Sequence, residues 1–129
     1  MKNKKRIICF GDSNTWGYDP ATGGRYGEET RWPMRMQKML GDAWQVIEEA
    51  QNGRTFACED PWEWGTKSAL DYVLPMVESH TPFDLLIIML GTNDLKAKFH
   101  LPAGDIAGSL QNLLIRTIPY MQYTRSEEH

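Results

Sequence analysis

The sequence predicts an α/β fold built on a parallel, doubly wound sheet with right-handed crossovers. Three observations carry that expectation. Apolar runs without polar alternation occur at 5–10 and 83–90, as in strands covered on both faces. A shorter β-type run lies at 44–50. Between and after these runs the apolar residues recur with helical spacing. The predicted order is β-α-β-α-β-α. At 129 residues the chain reads as one domain. A domain near this size buries roughly two thirds of its unfolded surface.

Residues 5–10 form the first strand, with Ile7, Ile8, Cys9 and Phe10 as its apolar body. A loop follows over 17–29, with turn signals at Asp19-Pro20 and Gly23-Gly24. Thr30 is a candidate N-cap for a helix to Gly41, with Trp32, Met36, Met39 and Leu40 on one face. Pro33 is harmless in its first turn. Trp44 to Ala50 is the second strand; Glu48 and Glu49 suit a sheet edge. A long loop leads to a second helix over 66–79, where Pro75 predicts a kink or a late start. Phe83 to Leu90 is the most apolar run and reads as a central, buried strand. A third helix covers 103–116, and Pro119 predicts that it does not continue into the tail.

The formal net charge of −3 argues against a nucleic-acid partner. Cys9 and Cys58 fit neither a metal spacing nor a disulfide framework, so no metal is expected and a cytoplasmic setting is the simplest. Lys2, Lys4, Lys5 and Arg6 resemble the start of a signal peptide, but the apolar run behind them is too short. No stretch reaches the length of a membrane span.

Three polar signatures follow the three strand ends: Ser13, Gly53 and Asn93. In a parallel sheet those ends share one edge, where ligands bind in open α/β folds. Ser13 is placed to attack a carbonyl if a base takes its proton. The N–H groups of Ser13 and Gly53 and the Asn93 amide are candidate donors to the oxyanion. One such donor typically contributes about 2.7–4 kcal/mol. Each segment alone also reads as an ordinary turn; their recurrence at successive strand ends is what points to chemistry. Trp16, Tyr18, Tyr26, Trp62 and Trp64 either shape an apolar substrate pocket beside them or cover the sheet ends.

Phe10-Gly-Asp-Ser-Asn-Thr-Trp-Gly17, Asn52-Gly-Arg-Thr55 and Met89-Leu-Gly-Thr-Asn-Asp94 resemble the first three blocks of the SGNH (GDSL-type) hydrolases, nearest to their bacterial arylesterase and acyltransferase branch. Arg31-Trp32, Val46-Ile-Glu-Glu49 and the stretch 82–96 support the likeness, which spans about residues 6–115. It implies a three-layer α/β/α, flavodoxin-like sheet of strand order 2-1-3, and a serine esterase acting on small carboxylic esters. Ser13 would be the nucleophile, with its own N–H, Gly53 and Asn93 forming the oxyanion hole. No cofactor is implied.

The family's fourth signature, an Asp-x-x-His that supplies the base, is missing. Asp71, Asp84, Asp94 and Asp105 are followed three positions on by Leu74, Ile87, Ala97 and Gly108. Residues 1–129 therefore resemble a partial, apparently truncated SGNH domain of very weak or no activity. His80 is expected at the wrong end of the sheet, and His129 is the chain's last residue. His100 follows the third strand and is the alternative base, alongside a partner chain. A non-catalytic, flavodoxin-like binding module is the other alternative, although Asp12 and Trp16 would make a poor anion cradle. In the order 2-1-3 the third strand becomes an edge, which predicts self-association through 83–90.

Overall fold

The computed structural model describes residues 3–126. Lys2 of the basic start and His129 lie outside the described residues. The chain forms two compact units. One comprises the chain up to Asn52 together with Phe83–Met89; the other comprises Gly53–Pro82 and the chain from Leu90 onward.

The first unit holds the sheet. Strands β1 (Lys5–Gly11), β2 (Trp44–Ala50) and β3 (Leu85–Met89) are all parallel, in the order β2-β1-β3. β1 is the centre, and Ile8, Cys9 and Phe10 are fully buried. Its uninterrupted apolar run is the pattern that a doubly flanked strand requires. The unit also contains a short helical turn, α1 (Ser13–Trp16), and a nine-residue helix, α2 (Trp32–Leu40).

Trp32, Met34 and Met36 of α2 pack against a core of Ile7, Cys9 and Val46, joined by Ile87 of β3. Met39 and Leu40, expected on this face, are exposed. Gln37 serves the end of the helix instead. Its amide donates to the carbonyls of Gly41 and Trp44, and its Oε1 accepts from Val46 N–H at 2.7 Å. The helix caps on Arg31 rather than Thr30, without a side-chain bond. The Arg31 guanidinium instead meets Glu48 of β2 through two bonds, Nε to Oε2 at 2.8 Å and Nη2 to Oε1 at 3.0 Å. That pair joins the loop before α2 to the sheet edge, and it holds the Arg31 pKa up.

The sheet corrects one reading. The run 83–90 looks like a central strand, yet β3 is an edge among the described residues. Leu85 is 47% exposed and Met89 41%. The expected order 2-1-3, with β3 outermost, is what the structure shows.

The second unit contains α3 (Ala69–His80), two single 3₁₀ turns (Asn93–Leu95 and Ala97–Phe99) and α4 (Ala103–Ser126). α3 starts three residues later than 66 because Lys67 and Ser68 are engaged in extended pairing. Thr55 N–H donates to the Lys67 carbonyl, and Ala69 N–H to the Thr55 carbonyl. Pro75 lies inside the helix, which runs on past it.

α4 overturns the expected stop. It continues through Pro119 to Ser126, so the tail is helical rather than frayed. An interior proline typically costs a helix about 3 kcal/mol or more. Here the carbonyl that loses its partner belongs to Ile115, a residue 61% exposed, where water can replace the bond. Packing against α3 offsets the remainder. Leu113, Thr117 and Thr124 are buried, the Thr117 hydroxyl donates to the Leu113 carbonyl, and Tyr120 reaches Glu78 of α3. No helix among the described residues is long and apolar enough to cross a membrane.

The two thiols differ in environment. Burial first, then the Glu48 carboxylate, push the Cys9 thiol up to about 11. Cys58 is only half-buried and is raised by burial and by Asp94. At about pH 8, one thiol should react with a disulfide reagent in the native state and the second only on unfolding. Peptide mapping should assign the protected thiol to Cys9.

Candidate functional site

The end of β1 sets the Ser13 turn. Gly11 pairs with Ala50 on one side and Met89 on the other, so the three strands finish level. A β-carbon on Gly11 would lie 2.2 Å from Thr15 Oγ1 and 3.0 Å from the Met89 carbonyl oxygen. Only glycine allows the following turn to fold so closely onto the strand end. Asp12 is buried and caps the turn, its Oδ1 accepting from Asn14 N–H at 3.0 Å. Ser13 is the first residue of α1 and is half-buried. Its N–H belongs to the first turn, where no intrahelical acceptor exists. Thr15 is buried behind it and accepts from Trp32 Nε1. Gly17 closes the turn in the left-handed conformation, at φ 94°.

The aromatics of this stretch are held from the loop that follows. Arg25 stacks on the Trp16 ring at 4.8 Å and donates through Nε to the Trp16 carbonyl. Tyr18 pairs with Arg25 through backbone bridging and is 43% exposed. Arg25 also lies 3.7 Å from Glu48, which thus gathers both arginines of the loop.

Gly53 and Asn93 belong to the second unit. Gly53 has φ 81°, a conformation that favours glycine. A β-carbon there would make only ordinary contacts, at 3.6 Å, with Glu63 and Lys67. Backbone geometry, more than a need for open space, explains the glycine. The structure brings the Gly53 loop and the Asn93 loop together. Asn93 is buried, and its Nδ2 donates to the Arg54 carbonyl at 3.0 Å. Next to it, buried Asp94 accepts from Phe56 N–H at 3.0 Å. An amide has two N–H donors, and the bond to Arg54 uses one.

A further tie joins the same loops. Asp60, whose side chain is buried, takes Lys98 in a close ion pair and Lys96 at 3.7 Å, and accepts from Trp62 N–H. The Lys98 bond holds the Asp60 carboxyl below the usual range, against the opposing effect of burial. Asp94 and Asp60 were not singled out as site residues by the sequence reading. Their partners lie 38 residues away in the chain in one case, as does Lys98 from Asp60 in the other. The run Asn93-Asp94, two polar residues behind an apolar strand, was the signal available.

Trp62 and Trp64 are 85% and 93% exposed. Tyr26 is 38% exposed. His80 occupies the last turn of α3. His100 is exposed, in a left-handed conformation after the second 3₁₀ turn. Among the described residues no cluster of His, Cys, Asp or Glu could hold a metal ion.

Residues 9–118 match the GDSL-like lipase/acylhydrolase family. The chain belongs to that family. Among solved structures it is similar to a carbohydrate acetylesterase family member from Sinorhizobium meliloti. The two are 38% identical, with a TM-score of 0.81 over 87% of this chain and 54% of the other. It is also similar to an aryl esterase of M. smegmatis, at 40% identity and a TM-score of 0.81, covering 86% of this chain and 53% of that one. The chain thus spans about half the length of these structures. No curated protein matches it.

The buried Asp94 bond provides a test of how the second unit is held. Asp94→Ala leaves the Phe56 N–H unsatisfied and should cost about 1–3 kcal/mol in urea unfolding. Asp94→Asn keeps an acceptor oxygen and should cost less. Equal losses in the two variants would contradict this role.

Proposed function

We propose that residues 1–129 are part of an SGNH-type serine esterase domain acting on small carboxylic esters, with Ser13 as its nucleophile. The observation that carries this reading is the Asp12-capped turn at the end of β1, which starts a helical turn on Ser13 where no side chain fits at Gly11. Family membership and the likeness to solved structures of an acetylesterase and an aryl esterase support it.

In this proposal Ser13 Oγ bonds to the ester carbonyl carbon as its proton passes to a base; the tetrahedral intermediate then collapses, the alcohol leaving with that proton, and water releases the acid from the resulting acyl-enzyme. The N–H groups of Ser13 and Gly53 and the remaining donor of Asn93 receive the oxyanion. Trp16 and Tyr18 border the substrate. The base is the missing component, since the chain contains no Asp-x-x-His. Loss of nucleophile or base in a serine triad costs about 10⁶-fold in kcat, leaving roughly 10³–10⁴ over water from the oxyanion hole and binding.

The chain should therefore hydrolyse p-nitrophenyl acetate at a rate within a few-fold of its Ser13→Ala variant. His100→Ala should change nothing. Activity well above buffer that disappears in both variants would instead make His100 the base.

A further inference from the structure

Trp16 stands beside Ser13, and one arginine holds it there. We propose that Arg25 is a positioning residue that fixes the Trp16 indole as a rigid wall of the acyl site and so limits the size of the acyl group that Ser13 accepts. The proposal rests on the reading of Ser13 as the nucleophile.

The place of the indole follows from the turn. Ser13 and Trp16 are the first and last residues of α1. Residues three apart on a helix share a face, with β-carbons about 5–6 Å apart. The acyl group bonds to Ser13 Oγ and stays there until water releases it, whereas the alcohol departs. The acyl group is therefore the part of the ester that the neighbouring indole confines.

Arg25 reaches Trp16 from a short hairpin folded back over the turn. Asp19 N–H donates to the Gly24 carbonyl at 3.0 Å, Tyr18 bridges antiparallel to Arg25, and Tyr26 N–H donates to the Gly17 carbonyl at 2.7 Å. The guanidinium is then used in three ways. Its Cζ lies over the indole at 4.8 Å, its Nε donates to the Trp16 carbonyl at 2.7 Å, and its Nη2 lies 3.7 Å from Glu48. The bond holds the Trp16 backbone and the stack holds its ring, so a swing of the indole must break the cation–π contact. Arg31 closes the other side of the hairpin. Its Nη1 donates to the Tyr26 carbonyl at 2.8 Å, and a β-carbon on Gly17 would lie 2.7 Å from its Cγ and Cδ. Glu48 binds Arg31 through two bonds, so one carboxylate of β2 anchors both guanidiniums around the Ser13 turn.

The role of Arg25 is placement rather than stability. Its side chain is partly exposed and its ion pair is long, and such pairs add little to folding. Lysine would keep the charge but lose the planar group and the Nε donor.

Fluorine-labelled tryptophan in the full chain gives one fluorine NMR resonance for each of the five tryptophans, and Trp16→Phe identifies that of Trp16. Arg25→Gln and Arg25→Lys should each move or broaden the Trp16 resonance, leave those of Trp44, Trp62 and Trp64 in place, and leave the urea midpoint unchanged. With imidazole supplied as base, the Ser13-dependent rate on p-nitrophenyl acetate relative to the hexanoate should fall about tenfold in both variants, the lower end of what one methylene of fit is worth. An unmoved Trp16 resonance overturns the proposal, and so does an unchanged acetate-to-hexanoate ratio. A ratio that falls in Arg25→Gln but not in Arg25→Lys would assign the effect to charge and overturn it too. A lowered urea midpoint with all the resonances shifted would make Arg25 a structural residue instead. Absence of Ser13-dependent hydrolysis from every variant and from the unaltered chain would overturn the nucleophile reading and the acyl limit with it; the Trp16 resonance judges the clamp separately.

Discussion

Gly11 has no room for a side chain. A β-carbon there would overlap Thr15 Oγ1 and press on the Met89 carbonyl. Those two contacts fix how the chain leaves the central strand. The Met89 contact exists because β1 and β3 run parallel and finish level; the Thr15 contact exists because the chain turns at once into α1. Asp12 then caps the turn and Thr15 fills the space behind it. Ser13 is the residue that remains at the front of this arrangement. Its position follows from strand pairing and one absent methyl group, before any chemistry is considered.

The flanking structure of the first unit supports that turn through charge rather than through further apolar packing. Glu48, on an edge strand, takes Arg31 in a paired bond and Arg25 at longer range. Arg25 in turn stacks on Trp16 and binds its carbonyl. The long loop after α1 is therefore tied at both arginines to the sheet. In the second unit the ties are buried polar bonds: Asn93 to the Arg54 carbonyl, Asp94 to Phe56 N–H, and Asp60 to two lysines. Such bonds contribute little when made and cost much when broken, because a buried group is left without a partner.

Much of this was legible in the sequence, for local reasons. β1 and β2 announce themselves by their apolar and β-branched residues, and their observed bounds agree with the expected ones to within a residue. The Ser13 turn was readable because strand, glycine and serine are adjacent. The misreadings of β3 and α4 share a cause: each depended on something distant in the chain. Apolarity made β3 look central, whereas among the described residues it lies at the sheet's edge, a place set by pairing with β1 almost eighty residues earlier. Pro119 should stop a helix by local rules, yet α4 continues, tied to α3 and its C-cap where Tyr120 donates to Glu78 and Thr124 accepts from Thr81. Met39 is exposed, and in the same last turn Gln37 bonds to Gly41, Trp44 and Val46, a local arrangement that the apolar spacing does not reveal. The roles of Asp94 and Asp60 rest on partners almost forty residues away, which no local pattern encodes.

The central proposal is that Ser13 is a nucleophile whose base does not lie within residues 1–129. Supplying the base from solution tests it most directly. Hydrolysis of a small acetate ester would be followed as imidazole is added to the chain and to Ser13→Ala, with the uncatalysed imidazole rate subtracted from both. The account predicts a saturable, imidazole-dependent increase in the chain that is absent from Ser13→Ala. Identical responses in the two proteins would contradict it.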